Sequence, residues 1–199
     1  VGLLEAGSSA EEPEKGEGES HAGLLGVPGM IGVAQSSAGS VANVRALASG
    51  EIEAGLVQAD VAAWAFRGEH VFAGEESTRK LRAVASLYPE KFQIVTRRDA
   101  NIRKVSDLRG KRVSIDEIGS GTLMAMRIVL EAHGLSELDM HPLYLKPNFM
   151  DDKMARRELQ GFAVMAGVPM EAALRVSDLG LYFVPVEHEI ALRIHAKFP

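Results

Sequence analysis

Apolar residues follow two spacings along this chain, one typical of strands and one typical of helices, and the two alternate from about residue 30 onward. Short apolar runs predict strands over residues 30–35 and 54–58. Between them, the helical spacing over residues 40–49 predicts a helix that ends at Gly50. A run as short and apolar as 54–58 is typical of strands that are buried on both faces in a parallel sheet.

The second half of the chain repeats this alternation. The run over residues 81–98 predicts two strands, because Pro89 biases Tyr88 toward an extended backbone and interrupts the run. A helix is predicted over residues 122–133, with its apolar side chains on one face and Gly134 at its end. Further strands are predicted in "HPLYLKP", "GFAVMAG" and "LYFVPV", and further helices in "DDKMARREL", "PMEAALRVS" and "EHEIALRIHAKF". Strands that alternate with helices predict an α/β architecture with mainly parallel sheets flanked by helices.

The first twenty residues differ from the rest of the chain. They are rich in Glu, Gly and Ser and nearly lack core-forming side chains, so residues 1–20 are predicted to be a mobile acidic segment. They also lack the basic start and continuous apolar stretch of a signal peptide, so a secreted form would be a processed one. Because no run of about 18 apolar residues occurs, we predict no membrane-spanning segment.

Charge and composition exclude several classes of function. The net charge of −5 argues against a nucleic-acid partner, since such proteins carry a clustered basic excess. The basic run over residues 97–112 is interrupted by aspartates, which is typical of a solvated face. The chain has no cysteine, which excludes disulfide and thiolate chemistry. Its 6 histidines show no metal-ligand spacing, so we predict neither a metal site nor a cofactor.

Two junctions between a predicted strand and a predicted helix carry the most distinctive residues. They are "SSAGSVANVRALASG" over residues 36–50 and "IGSGTLMAMRIVLEAHG" over residues 118–134. Each places Gly and Ser where a helix begins, and a helix start presents unpaired N–H groups and a positive dipole end to an anion. The alternative is a tight connection in which Ser serves only as the N-cap. Neither junction matches a phosphate loop or a dinucleotide fingerprint.

Three further positions are candidates for ligand contact. Gln58 and Asp60 follow the predicted strand 54–58 and could contact an amine or a hydroxyl group, or they could be an exposed glutamine and an N-cap aspartate. Tyr88 lies on a predicted strand, where a tyrosine often packs in the core. The stretch "MAGVPMEA" resembles the two junctions, with Gly167 and Pro169 at the start of a helix.

Signals for catalysis are weak. "EIGSGT" does not match a nucleophile elbow, because Ser120 lies directly between two glycines. No carboxylate pair for acid and base catalysis is identifiable from spacing. The residues therefore favour ligand binding without turnover, and we predict no catalytic residue.

The order of these motifs resembles one family. "AGSVANVRALASGEIEAGLVQADVA", then L-Y-P at residues 87–89, G-S-G-T at 119–122, "VLEAHGL" and "MAGVP" together resemble the TAXI family over about residues 30–190. That family comprises the extracytoplasmic solute-binding proteins of TRAP-type tripartite transporters.

The resemblance implies a two-lobed periplasmic-binding-protein-like fold, with lobe one at residues 21–97, lobe two at 98–185 and a helix at 186–199 that returns toward lobe one. It implies a periplasmic protein that captures a small organic anion, either an amino acid such as glutamate or a dicarboxylate, and delivers it to a TRAP membrane permease. The ligand-binding residues implied by position are Gly39, Ser40, Val41, Gln58, Asp60, Tyr88, Pro89, Ser120, Gly121, Thr122, Gly167 and Pro169.

Two other functions are compatible with the same residues. One is an effector-binding sensory domain of the same two-lobed kind, in which closure on a ligand controls a partner. The other is an α/β enzyme that holds a phosphate at its Gly/Ser turns and uses Asp60, Asp116 or Glu117 as a general base.

Overall fold

The computed structural model describes residue 29 and residues 31–198, of which those from Ala38 onward belong to one compact unit. The strands of that unit are β1 (Lys91–Arg97), β2 (Arg112–Ser114), β3 (His141–Leu143), β4 (Gly161–Ala166) and β5 (Leu181–Val184). The helices are α1 (Ser40–Ser49), α2 (Ala59–Arg67), α3 (Gly121–Ala132), α4 (Asp151–Ala155), α5 (Glu171–Arg175) and α6 (His188–Lys197). The predicted α/β class is confirmed.

The strands form one sheet in the order β3-β2-β4-β1-β5. Strand β2 runs parallel to both of its neighbours, β3 and β4, whereas β1 runs antiparallel to both of its neighbours, β4 and β5. The sheet is therefore mixed, and the prediction of a mainly parallel sheet was wrong.

Two apolar clusters cover the two faces of this sheet. In the register of β1 and β4, Ile94 pairs with Ala163 and Val95 pairs with Phe162. Because side chains alternate between the faces of a strand, the first pair joins the cluster under α3 and the second joins the cluster under α4 and α5. Helices thus cover the sheet on both sides.

Helix α3 also faces a third cluster, which is formed by α1 and α2. That cluster includes Val44, Val61 and the buried Trp64. Met126 of α3 packs toward the sheet, whereas Met124 of the same helix packs against α1 and α2. Helix α3 therefore joins the α1–α2 pair to the sheet.

Three segments that were predicted as strands are irregular. Met30 lies outside the described residues, and residues 31–35 form no strand. Residues 81–90 are also irregular, so only the strand after Pro89 is present, as β1.

Segment 54–58 is irregular because side chains of α1, and not a neighbouring strand, satisfy its backbone. The Asn43 side-chain amide donates to the Leu56 carbonyl at 2.8 Å, and the backbone N–H of Gln58 donates to the Ser40 hydroxyl at 3.1 Å. The prediction of a buried parallel strand there was wrong, although Gln58 itself is buried.

The predicted division into lobes at residues 21–97 and 98–185, with a returning helix at 186–199, stays a prediction. The predicted acidic segment 1–20 lies outside the described residues. No helix within those described residues has the length and apolar character to cross a membrane.

Gly161 permits a close approach between two strands of the sheet, β4 and β1. A Cβ at this position would lie 2.5 Å from the Val95 carbonyl oxygen and 3.0 Å from the Thr96 Cα, and backbone atoms cannot move aside easily. We expect Gly161→Ala to lower the free energy of unfolding by about 1–3 kcal/mol in a urea titration. Gly32→Ala is the matched control, since a Cβ there would meet nothing within 4 Å. Equal losses in the two variants would contradict this account.

Candidate ligand-binding site

The starts of α1 and α3 lie in direct contact. Gly39 is the N-cap residue of α1, with φ at 110°, and a Cβ at this position would lie 3.0 Å from the Cα of Ser120, the N-cap residue of α3. The Gly119 carbonyl accepts hydrogen bonds from the backbone N–H groups of Val41 at 2.9 Å and Ala42 at 3.2 Å. The two predicted junctions therefore meet, and the protein's own carbonyl occupies part of the α1 start.

Ser40, the first residue of α1, and Ser120, the N-cap residue of α3, are both buried and make structural hydrogen bonds. The Ser40 hydroxyl accepts from the Gln58 backbone, which ties the start of α1 to the start of α2. The Ser120 hydroxyl accepts from the backbone N–H of Leu123 at 3.0 Å, which is the geometry of an N-cap. Three helix starts are thus brought together, those of α1, α2 and α3.

The Gln58 side chain lies where these three starts meet. Gln58 is only 7% exposed, and neither the Nε2 nor the Oε1 of its side chain has a hydrogen-bond partner. A Cβ on Gly121 would lie 1.8 Å from Oε1, so the amide rests on the first residue of α3, where only glycine leaves room for it. A buried amide without partners costs free energy, and a bound ligand could supply the missing hydrogen bonds.

Two carboxylates lie beside this amide. Burial raises the pKa of Glu90, and the charge of nearby Asp60 adds to this rise. Asp60 is exposed as a residue, but its carboxyl group is partly buried. This burial raises the pKa of the carboxyl, and a hydrogen bond from the N–H of Val61 lowers it. The prediction of Asp60 as an N-cap was wrong, because Gln58 is the N-cap of α2 and Asp60 lies in its first turn.

A third carboxylate, that of Asp116, also lies at the start of α3. Burial raises its pKa, and hydrogen bonds from the Glu117 N–H and the Thr122 hydroxyl lower it. Thr122 is buried, and its hydroxyl oxygen also accepts from the backbone N–H of Met165 at 3.1 Å. Thr122 therefore links the start of α3 to the end of β4.

The remaining predicted residues lie at the edge of this region. Tyr88 and Pro89 are exposed, which rules out a core role for Tyr88. The Tyr88 ring would lie 3.9 Å from a Cβ on Gly167, so the segment before β1 approaches the segment after β4. Pro169 is exposed and directly precedes Met170, the N-cap of α5, so it lies just before this helix begins.

Three carboxylates of this region take no part in the ion pairs of the described residues. None of the ion pairs within the described part of the chain includes Asp60, Glu90 or Asp116. Within the same part of the chain, no three His, Cys, Asp or Glu side chains are grouped so that they could hold a metal ion. Glu90 is not among the predicted contact residues, although it follows the L-Y-P motif directly.

A surface groove of about 480 Å³ lies elsewhere, on the turn before β3 and on β3 itself. Its Glu137 carboxylate is already paired, with Arg127 and with the Tyr144 hydroxyl. Because the groove contains none of the predicted residues and no buried polar atom without a partner, the junction of helix starts is the stronger candidate.

Comparisons with known proteins give a family match and several similar structures. The family model described as NMT1-like family matches residues 27–199. The chain is similar to the alkanesulfonate-binding protein SsuA from Xanthomonas axonopodis pv. citri bound to MOPS, at 22% identity and a TM-score of 0.49, over 77% of this chain and 50% of that one.

It is also similar to the periplasmic aliphatic sulphonate binding protein SsuA from Escherichia coli, at 21% identity and a TM-score of 0.39, over 56% of this chain and 42% of that one. An ancestral arginine-binding protein bound to arginine matches at 14% identity and a TM-score of 0.46, over 71% of this chain and 55% of that one. The chain thus spans about half the length of these structures.

The hydrogen bond from Gln58 to Ser40 gives a direct test of the junction. We expect Ser40→Ala to lower the free energy of unfolding by about 1–3 kcal/mol, because it leaves a buried N–H without an acceptor. Ser49→Ala, at the exposed end of the same helix, should change it by less than about 0.5 kcal/mol. Similar losses for both variants in urea titrations would contradict the proposed role of Ser40.

The raised pKa of Asp116 predicts a stability change that depends on pH. A carboxyl whose pKa is higher in the folded state destabilises the fold when ionised, and this cost disappears as the pH falls below its ordinary value of 3.8. Asp116→Asn should therefore raise Tm by a few degrees at pH 7 and give little gain near pH 3.5.

Asp107→Asn is the control of opposite sign, because backbone N–H groups lower the pKa of Asp107, so the fold favours its charge. This variant should lower Tm at pH 7. A fall in Tm for Asp116→Asn at pH 7 would show that the ionised Asp116 carboxyl stabilises the fold.

Proposed function

The chain belongs to the NMT1-like family, and from this premise we propose that it is the solute-capturing part of an extracytoplasmic binding protein. The observation that carries the proposal is the buried Gln58 amide, which has no hydrogen-bond partner where the starts of α1, α2 and α3 meet. A binding site is a natural place for such an amide, since a ligand completes hydrogen bonds that the protein leaves open.

The start of α3 supports an anionic group on the solute. The Ser120 hydroxyl accepts a hydrogen bond from the N–H of Leu123, whereas the N–H groups of Gly121 and Thr122 have no acceptor among the described residues. These two groups lie at the positive end of a 12-residue helix, where a carboxylate is stabilised by about 0.3–1 kcal/mol when exposed and by up to about 2 kcal/mol when partly buried. We propose that they hold one carboxylate of the solute.

The twelve predicted contact residues form the proposed ligand shell, with Glu90 added to them. Gly39, Ser40 and Val41 shape its wall through the contact with residues 119–120, and Tyr88 and Gly167 border its opening. We further propose that two lobes close over the solute and exclude water, in the hinge manner of periplasmic binding proteins.

We also propose which type of transporter this protein serves. The order of the G-S-V-x-N, Q-x-D, L-Y-P and G-S-G-T motifs supports a TAXI-type protein that delivers an amino acid such as glutamate, or a dicarboxylate, to a TRAP-type membrane permease. A periplasmic or other extracytoplasmic location follows from that assignment.

An enzyme that holds a phosphate at the Gly/Ser turns is the second candidate. It is favoured by the burial that raises the pKa values of Asp60 and Asp116, since a carboxylate with a raised pKa is a stronger base. This candidate requires turnover, and Asp60→Asn would abolish it. A binding protein would show only a change in affinity.

A thermal-shift screen of ligand-stripped protein against amino acids, dicarboxylates, 2-oxoacids and sugar phosphates tests the proposal. A solute at one hundred times its dissociation constant should stabilise the fold by about 2.7 kcal/mol. At about 2–4 °C for each kcal/mol, Tm should rise by about 5–11 °C.

Gly121→Ala identifies the site, because the added Cβ would occupy the place of the Gln58 amide and cover the start of α3. We expect it to weaken binding at least tenfold, whereas Gly32→Ala, with open space around its Cβ, should bind as the unaltered protein does. The absence of a shift with every solute class, or turnover of a sugar phosphate, would overturn the proposed function.

A further inference from the structure

We propose that this protein adsorbs to an anionic phospholipid bilayer through a cluster of exposed arginine and lysine side chains, which we call the basic face. The basic face lies at the edge of the sheet opposite the candidate site. It comprises six exposed cations: Arg98, Arg103, Lys104, Arg112, Arg156 and Arg157. This inference goes beyond the proposed function, because it does not depend on which solute the candidate site binds.

Strand pairing brings these cations together from separate parts of the chain. Gly161 at the start of β4 pairs with Thr96 near the end of β1 and with Val113 of β2. The segment after β1, the first residue of β2 and the segment before β4 therefore meet at one edge of the sheet. The cations of the basic face lie on these three segments.

Contacts among the cationic residues show that the segments touch. The Arg112 guanidinium donates to the Arg157 carbonyl at 3.0 Å. The Arg103 guanidinium donates to the Arg98 carbonyl at 3.4 Å and lies 4.4 Å from the centre of the Tyr182 ring. Because the partners in these contacts are uncharged carbonyls and a ring, the guanidinium charges are not neutralised by them.

Few carboxylates balance the basic face. Residues 97–112 include 7 Arg and Lys residues against 2 Asp residues, although the chain has a net charge of −5. Asp99 is already paired with two arginines, Asp107 accepts two backbone N–H groups, and Glu158 and Asp178 lie only at the margin. Four of the six cations form no ion pair with any residue that the structure describes: Arg98, Lys104, Arg112 and Arg156.

The basic face exposes charge without apolar side chains. Ile102, Val105 and Leu108 are the large apolar residues of the segment 97–112, and all three are buried in the cluster under α3. Protein interfaces are instead built around apolar and aromatic side chains, with charged residues depleted at their core. A layer of anionic headgroups attracts basic segments by charge alone. The basic face therefore suits an anionic bilayer better than an acidic protein surface.

Adsorption through the basic face leaves the candidate site accessible. The Thr122 hydroxyl at the start of α3 accepts from the N–H of Met165, four residues beyond Gly161 along β4. At about 3.3 Å for each residue, these two points of the strand are about 13 Å apart. Charges beyond about 8 Å are screened in physiological salt, so the acidic remainder of the chain opposes adsorption only weakly.

Cosedimentation of the untagged full chain with lipid vesicles tests this inference. The vesicles contain about 30% phosphatidylglycerol in phosphatidylcholine, and each cation near such a surface contributes about fivefold to binding. We therefore expect at least about tenfold tighter binding than to pure phosphatidylcholine, and its loss in about 0.5 M NaCl. No binding to the anionic vesicles, or equal binding to the neutral ones, would overturn the inference.

Two triple variants of equal net charge assign the binding to the basic face. The first removes three of its cations that form no ion pair, by Arg98→Gln, Lys104→Gln and Arg156→Gln, and should weaken binding at least about tenfold. The control removes three exposed cations outside the basic face, by Lys80→Gln, Arg82→Gln and Lys91→Gln, and should retain most of the binding. Equal weakening by both variants would show that net charge determines binding, and would overturn the assignment.

The absence of cysteine from the chain allows a single introduced cysteine to report the orientation of the bound protein. Ala155→Cys lies exposed at the end of α4, beside the basic face, and Lys91→Cys lies exposed at the start of β1, at the opposite edge of the sheet. With an environment-sensitive fluorophore attached, anionic vesicles should shift the emission to the blue at residue 155 and leave it unchanged at residue 91. Equal shifts at both positions, or the reverse pattern, would overturn the basic face as the docking surface. Because no solute is present in these assays, their failure leaves the proposed function unaffected.

Discussion

The contact between the start of α1 and the start of α3 is the constraint on which the candidate site depends. Gly39 lies so close to Ser120 that a side chain there would meet its backbone, and the Gly119 carbonyl receives two N–H groups from α1. This contact fixes the distance between the two junctions. It also makes the two helix starts unequal, because the Gly119 carbonyl accepts from N–H groups of α1, whereas the N–H groups of Gly121 and Thr122 in α3 have no acceptor among the described residues.

Helix α3 connects this contact between helix starts to the sheet. One of its faces packs on the sheet through residues such as Met126, and another packs on the α1–α2 pair through Met124. The Thr122 hydroxyl accepts from the end of β4, so the first turn of α3 is held from both sides. A site built on rigid elements in this way keeps its polar groups in place before a ligand arrives, which lowers the cost of binding.

Local signals in the sequence predicted the helices well and the strands less well. The ends of α1 and α3 were predicted because Gly50 and Gly134 adopt the left-handed conformation that glycine favours. Segment 54–58 and the direction of β1 were mispredicted because strand pairing is non-local: side chains of α1 replace a neighbouring strand in the first case, and β4 and β5 set the direction in the second. Glu90 was missed because only the fold brings it to Gln58.

The central claim is that a small solute binds at the junction of the three helix starts, and backbone amide shifts measured during a titration test it most directly. With the tightest-binding amino acid added to 15N-labelled protein, the account predicts the largest shifts at the N–H groups of Gly121 and Thr122 and at the Gln58 side-chain amide. Shifts confined to the groove around Leu138, with no change at those three groups, would contradict it.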